Sequence, residues 1–205
     1  FEIIHDHTFQ NWAYLPSVGV APPLPIITTC HTDPSNWGAP PPLLHPCVVG
    51  LSTNHARQLS LAYGVATRHV YNGIDLQMYS PPPEGSKRNG RLLWLGRYTS
   101  TKDPLSAMQL AKRLRIPLDC YGDVEIVSDP AYIDRCRAEA DGLIVRWNPG
   151  VTREKTVDLY RTYRGLLYTP VWEEPFGLVI AEAQACGLPV LVLDRGSMKE
   201  LVADG

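Results

Sequence analysis

The residues with the clearest chemical potential surround a Pro-Phe-Gly segment in the later part of the chain. Glu174 precedes this segment and Glu182 follows Glu174 by eight residues. A helix is predicted to begin near Leu178. The free backbone amides of Phe176, Gly177 and Leu178 at its start would favour the binding of an anion. Gly177 would also let a ligand approach the backbone closely. The spacing therefore predicts an anion site flanked by two carboxylates, although each glutamate taken alone is typical of a solvated surface.

Two cations form a second group. Arg97 and Lys102 follow a short apolar run that ends at Gly96, and they precede the dipeptide Asp103-Pro104. A guanidinium fork, an ammonium charge and helix amides are together what a diphosphate requires. Each charge-assisted hydrogen bond contributes roughly 1.5–3 kcal/mol, so two such residues would supply several powers of ten in affinity. Taken alone, two surface cations remain the other interpretation.

The elements that must position these side chains alternate along the second part of the chain. Short apolar runs predict strands at 91–95, 118–121, 143–147, 166–169 and 189–193. Helices are predicted to follow caps at Asp103, Asp129 and Thr152, and a further helix covers 178–186. Such alternation is typical of a parallel sheet covered on both faces. Because ligands bind outside the carboxyl ends of such strands, the charged residues are expected at one edge.

The first part of the chain is predicted to be α/β as well, with fewer units. Strands are predicted at 2–4, 26–29, 48–51 and 68–71, with a helix over 52–63. A polar stretch rich in proline and glycine over 81–90 reads as a linker. We therefore predict a partial first half over 1–80 and a second half over 91–205. Further proline clusters at 22–23 and 40–42 predict stiff loops.

Composition excludes several classes of protein. A net charge of −2 provides no basic surface for nucleic acid. No apolar run reaches the roughly 20 residues of a membrane span. Five cysteines without a C-x-x-C pair indicate reduced thiols in an intracellular, cytoplasmic protein. The first residue is Phe1 rather than Met, which predicts that the chain begins within a longer sequence or has been trimmed.

Together, the two charged groups match a known family. Gly96-Arg97 with Lys102, and Glu174-Pro-Phe-Gly with Glu182, resemble the motifs of the retaining family-4 glycosyltransferases of the GT-B fold. Three further segments resemble that family: Ile27 to His31, Tyr71 to Asp75, and Gly196 to Gly205. The resemblance implies a GT-B type α/β fold with two Rossmann-like halves, the first incomplete and the second nearly complete.

The resemblance also implies roles for the donor-binding residues. Arg97 and Lys102 would hold the diphosphate of a UDP, GDP or ADP sugar, and Glu182 would accept the ribose hydroxyls. Amides of Phe176, Gly177 and Leu178 would contact sugar and phosphate. Asn148, in a loop expected after Trp147, would flank the base.

For the reaction itself, the resemblance implies that His31 and Glu174 lie beside the transferred sugar. The diphosphate would leave with its charge balanced by cations and a helix N-terminus, so no cofactor and no metal are expected. Retention of configuration follows from the family alone. The acceptor would be a carbohydrate or a lipid-linked hydroxyl. Parts of the protein outside this sequence could make peripheral contact with a membrane.

Alternatives remain at this point. The chain could be a non-catalytic nucleotide-sugar-binding fragment, or a GT-B relative such as a sugar-nucleotide epimerase. His5-Asp6-His7 could bind a metal, although no third ligand is evident. The pattern departs from the family at Val171, where a small hydroxyl residue is usual, and at Asp103, where glycine is usual. A dinucleotide dehydrogenase is disfavoured because no G-x-G-x-x-G follows a strand.

Overall fold

The computed structural model describes residues 2–7, 25–34, 47–124 and 129–203. The predicted loops at prolines 22–23 and 40–42, and the end of the Gly196 segment at 204–205, lie outside these ranges. The strands are β1 (Ile4–Asp6), β2 (Ile26–Thr29), β3 (Val48–Gly50), β4 (Arg68–His69), β5 (Leu92–Leu95), β6 (Leu118–Gly122), β7 (Val145–Pro149), β8 (Gly165–Tyr168) and β9 (Val190–Val192). The helices are α1 (Thr53–Tyr63), α2 (Pro104–Leu114), α3 (Pro130–Glu139), α4 (Arg153–Thr162), α5 (Leu178–Ala185) and α6 (Met198–Leu201).

The residues divide into two compact units. The first unit contains the chain up to Asn72 together with Glu173–Phe176 and Gly196–Glu200. The second contains Gly73–Trp172, Gly177–Arg195 and the chain from Leu201 onward. The stretch 81–90 thus packs within the second unit. The division into functional halves at 1–80 and 91–205 stays a prediction.

Arg88 shows why that stretch is fixed. Its guanidinium donates to the carbonyls of Tyr160 and Tyr163 at the end of α4. It also donates to the carbonyls of Cys186 and Gly187, both at 3.0 Å, beyond the end of α5. One side chain therefore satisfies orphan carbonyls at two helix ends, where a cation is favoured.

The first unit has a four-stranded sheet in the order β1-β2-β3-β4, and every pair of neighbours is parallel. Helix α1 packs beside β3 and β4. As predicted, it begins after Ser52, whose side chain accepts from the His55 amide, and ends before Gly64 in the left-handed conformation (φ 67°). Its buried Leu59 packs with Cys30 and Val48 from the sheet.

The second unit has a five-stranded parallel sheet in the order β7-β6-β5-β8-β9. The chain therefore builds outward from β5 in one direction and then returns to its other side at β8. Such a reversal creates a crevice between the carboxyl ends of the two strands. Beneath it lies a core that includes fully buried Trp94, Met108, Leu118, Cys120 and Val145.

The predicted caps of this unit are confirmed. Asp103, Asp129 and Thr152 each accept a hydrogen bond from a first-turn amide of the helix that follows. Proline occupies the first position after both aspartates, where its missing amide costs nothing.

The bounds of two predicted strands are displaced by two residues. The first strand is Ile4–Asp6 rather than 2–4, since Ile4 pairs with Ile26. The third strand of the second unit is Val145–Pro149 rather than 143–147. Here the Asp141 carboxylate accepts from three successive amides, those of residues 143–145, and holds them in a turn.

Two further observations concern the whole described chain. All five cysteines are free thiols, four of them buried. Within the ranges given above, no helix combines the length and the apolar character needed to cross a bilayer.

Candidate functional site

The crevice of the second unit lies where two loops meet. Arg97 follows β5 and Thr169 follows β8, so both stand at the carboxyl edge of the sheet. The loops are joined by two hydrogen bonds. The Val171 amide donates to the Thr101 carbonyl at 3.0 Å, and the Thr169 hydroxyl donates to the Asp103 carbonyl at 2.7 Å. The loop after β5, which carries Arg97 and Lys102, is therefore held against the residues that directly follow β8.

Lys102 is fixed at the junction of these loops. Its Nζ donates to Tyr168 Oη at 2.9 Å and lies 4.6 Å from the centroid of the Trp172 ring. A cation over an aromatic face gains roughly 0.5–1 kcal/mol at exposed sites and more when desolvated. The half-buried ammonium is thus held beside the crevice.

Arg97 presents an exposed side chain on a rigid backbone. The next residue, Tyr98, is fully buried and stacks on Trp147 with ring centroids 3.5 Å apart. Its hydroxyl donates to the Cys120 carbonyl at 2.9 Å. The Arg97 carbonyl also accepts from the Thr99 amide at 2.8 Å. This anchoring fixes the backbone from which the Arg97 side chain extends.

Helix α5 begins without a side-chain cap. Its N-cap residue, Gly177, has a left-handed backbone (φ 89°), and glycine offers no side chain to accept from the first amides. Leu178 is 45% exposed at the first helical position. An uncapped helix start carries a partial positive charge and aligned donors, which suits an anionic ligand.

Glu182 lies one turn further along α5 and belongs to a half-buried group of polar side chains. Its carboxylate accepts from Tyr160 Oη at 3.0 Å. Burial and the neighbouring Glu182 charge raise the pKa of Tyr160 well above its usual range, so this hydroxyl stays a donor. The ring of Tyr79 packs against Tyr160, and Arg153 Nε donates to Tyr79 Oη at 3.2 Å. These contacts orient Glu182 and leave carboxylate lone pairs for further donors.

In the first unit, Glu174 sits in a turn that two residues of the Gly196 segment hold in place. Glu174 is only 6% exposed. Its carbonyl accepts from the Ser197 amide at 3.0 Å, and the Ser197 hydroxyl donates to the Phe176 carbonyl at 2.7 Å. A Cβ built on Gly196 would lie 2.3 Å from the Glu174 nitrogen, so only glycine permits this approach. Gly196 and Ser197 thus hold the backbone of Glu174 in place.

Glu200 of the same segment lies at the start of α1. Its carboxylate accepts from the amides of Thr53 at 2.8 Å and Asn54 at 2.7 Å, and from Tyr71 Oη at 2.9 Å. Burial would raise the pKa of Glu200, but these amide and hydroxyl donors outweigh burial, and the pKa is lowered. Glu200 therefore serves as an external cap for α1.

His31 follows β2 in the first unit and meets a second histidine. His31 Nε2 and His7 Nδ1 are 2.9 Å apart and share a hydrogen bond. Burial, followed by the nearby His7 and His5, lowers the pKa of His31. The ring is therefore neutral near pH 7.

The predicted site residues are thus distributed between the units. Arg97, Lys102, Gly177, Leu178 and Glu182 belong to the second unit, and His31, Glu174 and Phe176 belong to the first. Asn148 requires a correction, because it lies within β7 and not in a loop after Trp147. It pairs with Tyr121 of β6, and its side-chain Nδ2 donates to the Cys120 carbonyl at 3.1 Å. Its side chain is used to join strands.

Several contacts of the site were missed at the level of sequence. Tyr160 follows Val157 by three residues, a spacing typical of one buried helix face. That spacing does not indicate that Tyr160 would hydrogen-bond to Glu182. Trp172 lies two residues before Glu174 in the sequence, but no sequence pattern indicates that its ring would contact Lys102. Among the described residues, no group of three or more His, Cys, Asp or Glu side chains is placed to hold a metal ion.

Comparison with known proteins identifies the family. The family described as glycosyl transferases group 1 matches residues 83–205. A D-inositol 3-phosphate glycosyltransferase from Nocardiopsis dassonvillei is 30% identical over 184 residues, covering 77% of this chain and 42% of that protein. A phosphatidyl-myo-inositol mannosyltransferase from Mycobacterium leprae is 25% identical over 226 residues, covering all of this chain and 58% of that protein. The chain thus spans about half the length of these relatives.

Solved structures show the same fold. AviGT4, a glycosyltransferase involved in avilamycin A biosynthesis, superposes with a TM-score of 0.75 at 22% identity, over 98% of this chain and 57% of that one. The Anabaena protein HepE in complex with UDP and glucose gives a TM-score of 0.72 at 20% identity, over 89% of this chain and 56% of that one. The predicted α/β fold of GT-B type is confirmed. The chain belongs to the glycosyl transferases group 1 family.

Proposed function

We propose that this chain carries the donor-binding part of a retaining glycosyltransferase, which moves a sugar from a nucleotide-diphosphate sugar to an acceptor hydroxyl. The observation that carries the proposal is the fixed Lys102 ammonium at the switch point of the second sheet. Ligands of open α/β sheets bind at this point, and an ammonium held there favours a phosphate.

The diphosphate is bound by complementary charges in this proposal. Lys102 and Arg97 contact its oxygens, and the uncapped start of α5 adds amide donors at Gly177 and Leu178. As the sugar departs, negative charge grows on the diphosphate, and these fixed donors stabilise it without reorganising. The proposal requires no divalent metal, so a chelator should leave nucleotide affinity unchanged.

The carboxylates divide the remaining work. Glu182, oriented by Tyr160, accepts the ribose hydroxyls of the donor. Glu174, held by the Gly196 segment, acts with Phe176 at the transferred sugar, and His31 acts near its reactive carbon. Glu174→Ala should therefore lower turnover more than nucleotide affinity, whereas Glu182→Ala should lower affinity.

The comparisons narrow the ligands to be tried. HepE was solved with UDP and glucose, which places UDP sugars first among the UDP, GDP and ADP donors. The two relatives above are named for inositol-containing compounds, which makes an inositol phosphate and a lipid-linked inositol reasonable first acceptors. A thermal-shift panel of the three nucleoside diphosphates and their sugars would select the base.

Calorimetry with the selected nucleotide then tests the diphosphate site. Arg97→Ala should weaken binding at least tenfold, since one charge-assisted hydrogen bond contributes about 1.5–3 kcal/mol. The matched control is Arg113→Ala, which removes an exposed arginine from α2, away from the crevice. Equal affinity in the wild type and Arg97→Ala would remove the assignment. Hydrolysis of the donor by the chain would distinguish an enzyme from a binding module.

A further inference from the structure

A chain of aromatic contacts in the first unit leads to His31. His5 Nε2 is 2.8 Å from Thr29 Oγ1, which anchors the His5 ring to the neighbouring strand β2. The His7 ring packs on His5 with centroids 4.0 Å apart. His7 in turn reaches His31, with 2.9 Å between Nδ1 and Nε2 and 5.2 Å between centroids. Each ring in this series is therefore held by the one before it.

The hydrogen bond between the two imidazoles constrains both rings. One nitrogen must carry a proton and the other must offer a lone pair, so His7 and His31 hold complementary tautomers. Such a bond also fixes the plane of the His31 ring, as a partner of one ring nitrogen commonly does for the other. Nδ1 is then the nitrogen of His31 left to meet a ligand.

From these contacts we infer that His7 is a positioning residue, which sets the ring orientation and tautomer of His31 through the bond between Nδ1 and Nε2. This inference rests on the proposed role of His31 at the transferred sugar. The other titratable groups of this region are His5 and the buried side chains of Asp6, Cys30, Asp33 and His55. A neutral His31, as burial and the two neighbouring histidines favour, is the state in which a single tautomer matters.

Three variants separate orientation from simple packing. His7→Phe keeps an aromatic ring on His5 and removes the nitrogen. His7→Asn keeps a hydrogen-bonding amide near the position of Nδ1. His69→Phe is the control, because the His69 ring meets Tyr71 edge-on and has no contact with His31 among the described residues.

Nitrogen NMR of the His31 ring gives a readout that needs no turnover. We expect one tautomer in the wild type, in His7→Asn and in His69→Phe, and a mixture of tautomers in His7→Phe. Turnover of the donor should fall about tenfold in His7→Phe with its KM for donor unchanged, and His7→Asn should recover most of the loss. The acid limb of the pH profile should move in both His7 variants and not in His69→Phe, because both variants lose the His7 charge that lowers the pKa of His31.

The outcomes distinguish the two levels of the argument. If His31→Ala abolishes turnover while His7→Phe retains both full turnover and one His31 tautomer, the inference about His7 is wrong and the proposed function stands. If His31→Ala retains full turnover, the proposed role of His31 is wrong, and the NMR comparison alone decides whether His7 orients it. A His31 ring with the same tautomers in all variants overturns the inference.

Discussion

Replacing Gly196 with alanine should lower the free energy of unfolding by an amount that can be worked out from the local geometry. The added Cβ would lie 2.3 Å from the Glu174 nitrogen and 2.4 Å from its carbonyl oxygen, both backbone atoms that cannot rotate away. Relieving such overlap typically costs about 1–3 kcal/mol. Gly196 also has a φ of 60°, a left-handed conformation that costs an alanine about 1–2 kcal/mol. The two effects add to about 2–5 kcal/mol.

Gly64→Ala provides the matched control in the same unit. Gly64 has a similar φ of 67° and no atom within 4 Å of the Cβ it would gain, so it isolates the conformational cost. Urea unfolding followed by circular dichroism should therefore rank wild type, then Gly64→Ala, then Gly196→Ala. Donor turnover should fall only in Gly196→Ala, because the Glu174 turn must shift. Equal midpoints for the two variants, with turnover intact, would refute the steric argument.

Three other substitutions test separate contacts. Tyr160→Phe removes the donor to Glu182, so calorimetry should show nucleotide affinity lowered several-fold, at a stability cost of about 1 kcal/mol. Lys102→Met keeps an unbranched apolar side chain but removes the ammonium over Trp172, and it should weaken nucleotide binding at least tenfold without unfolding the chain. The lowered pKa of Glu200 means that its contribution is present above pH about 4.5 and is lost as pH falls through the folded pKa. Urea midpoints of Glu200→Gln should therefore depend less on acid pH than those of wild type or of the exposed control Glu84→Gln.

Features set by neighbouring residues could be predicted from the sequence. Asp103 and Asp129, each followed by proline, determine a helix start within one turn, and both caps form as expected. The alternation of apolar strands and helices likewise determines a parallel α/β sheet, because such strands need cover on both faces.

Features set by distant partners could not be predicted. The start of β7 depends on Asp141. Its carboxylate accepts hydrogen bonds from three following amides, and the strand therefore begins two residues later than expected. Asn148 was expected in a loop because no local signal shows that β7 continues alongside β6 as far as Pro149. The roles of Gly196 and Ser197 depend on a turn some twenty residues earlier in the chain.

The motifs of the site were visible, whereas their supports were not. Lys102 and Glu182 could be selected by type and spacing, but the tyrosines that orient them, Tyr168 and Tyr160, come from other elements. Spacing predicts which side chains share an edge of a sheet, and only packing determines which of them hydrogen-bond.

A crystal structure with a bound nucleoside diphosphate tests the central claim most directly. The account predicts phosphate oxygens within about 2.7–3.2 Å of Lys102 Nζ and of the first amides of α5, in the crevice between β5 and β8. A nucleotide bound elsewhere, with the phosphates out of reach of Lys102, would contradict it.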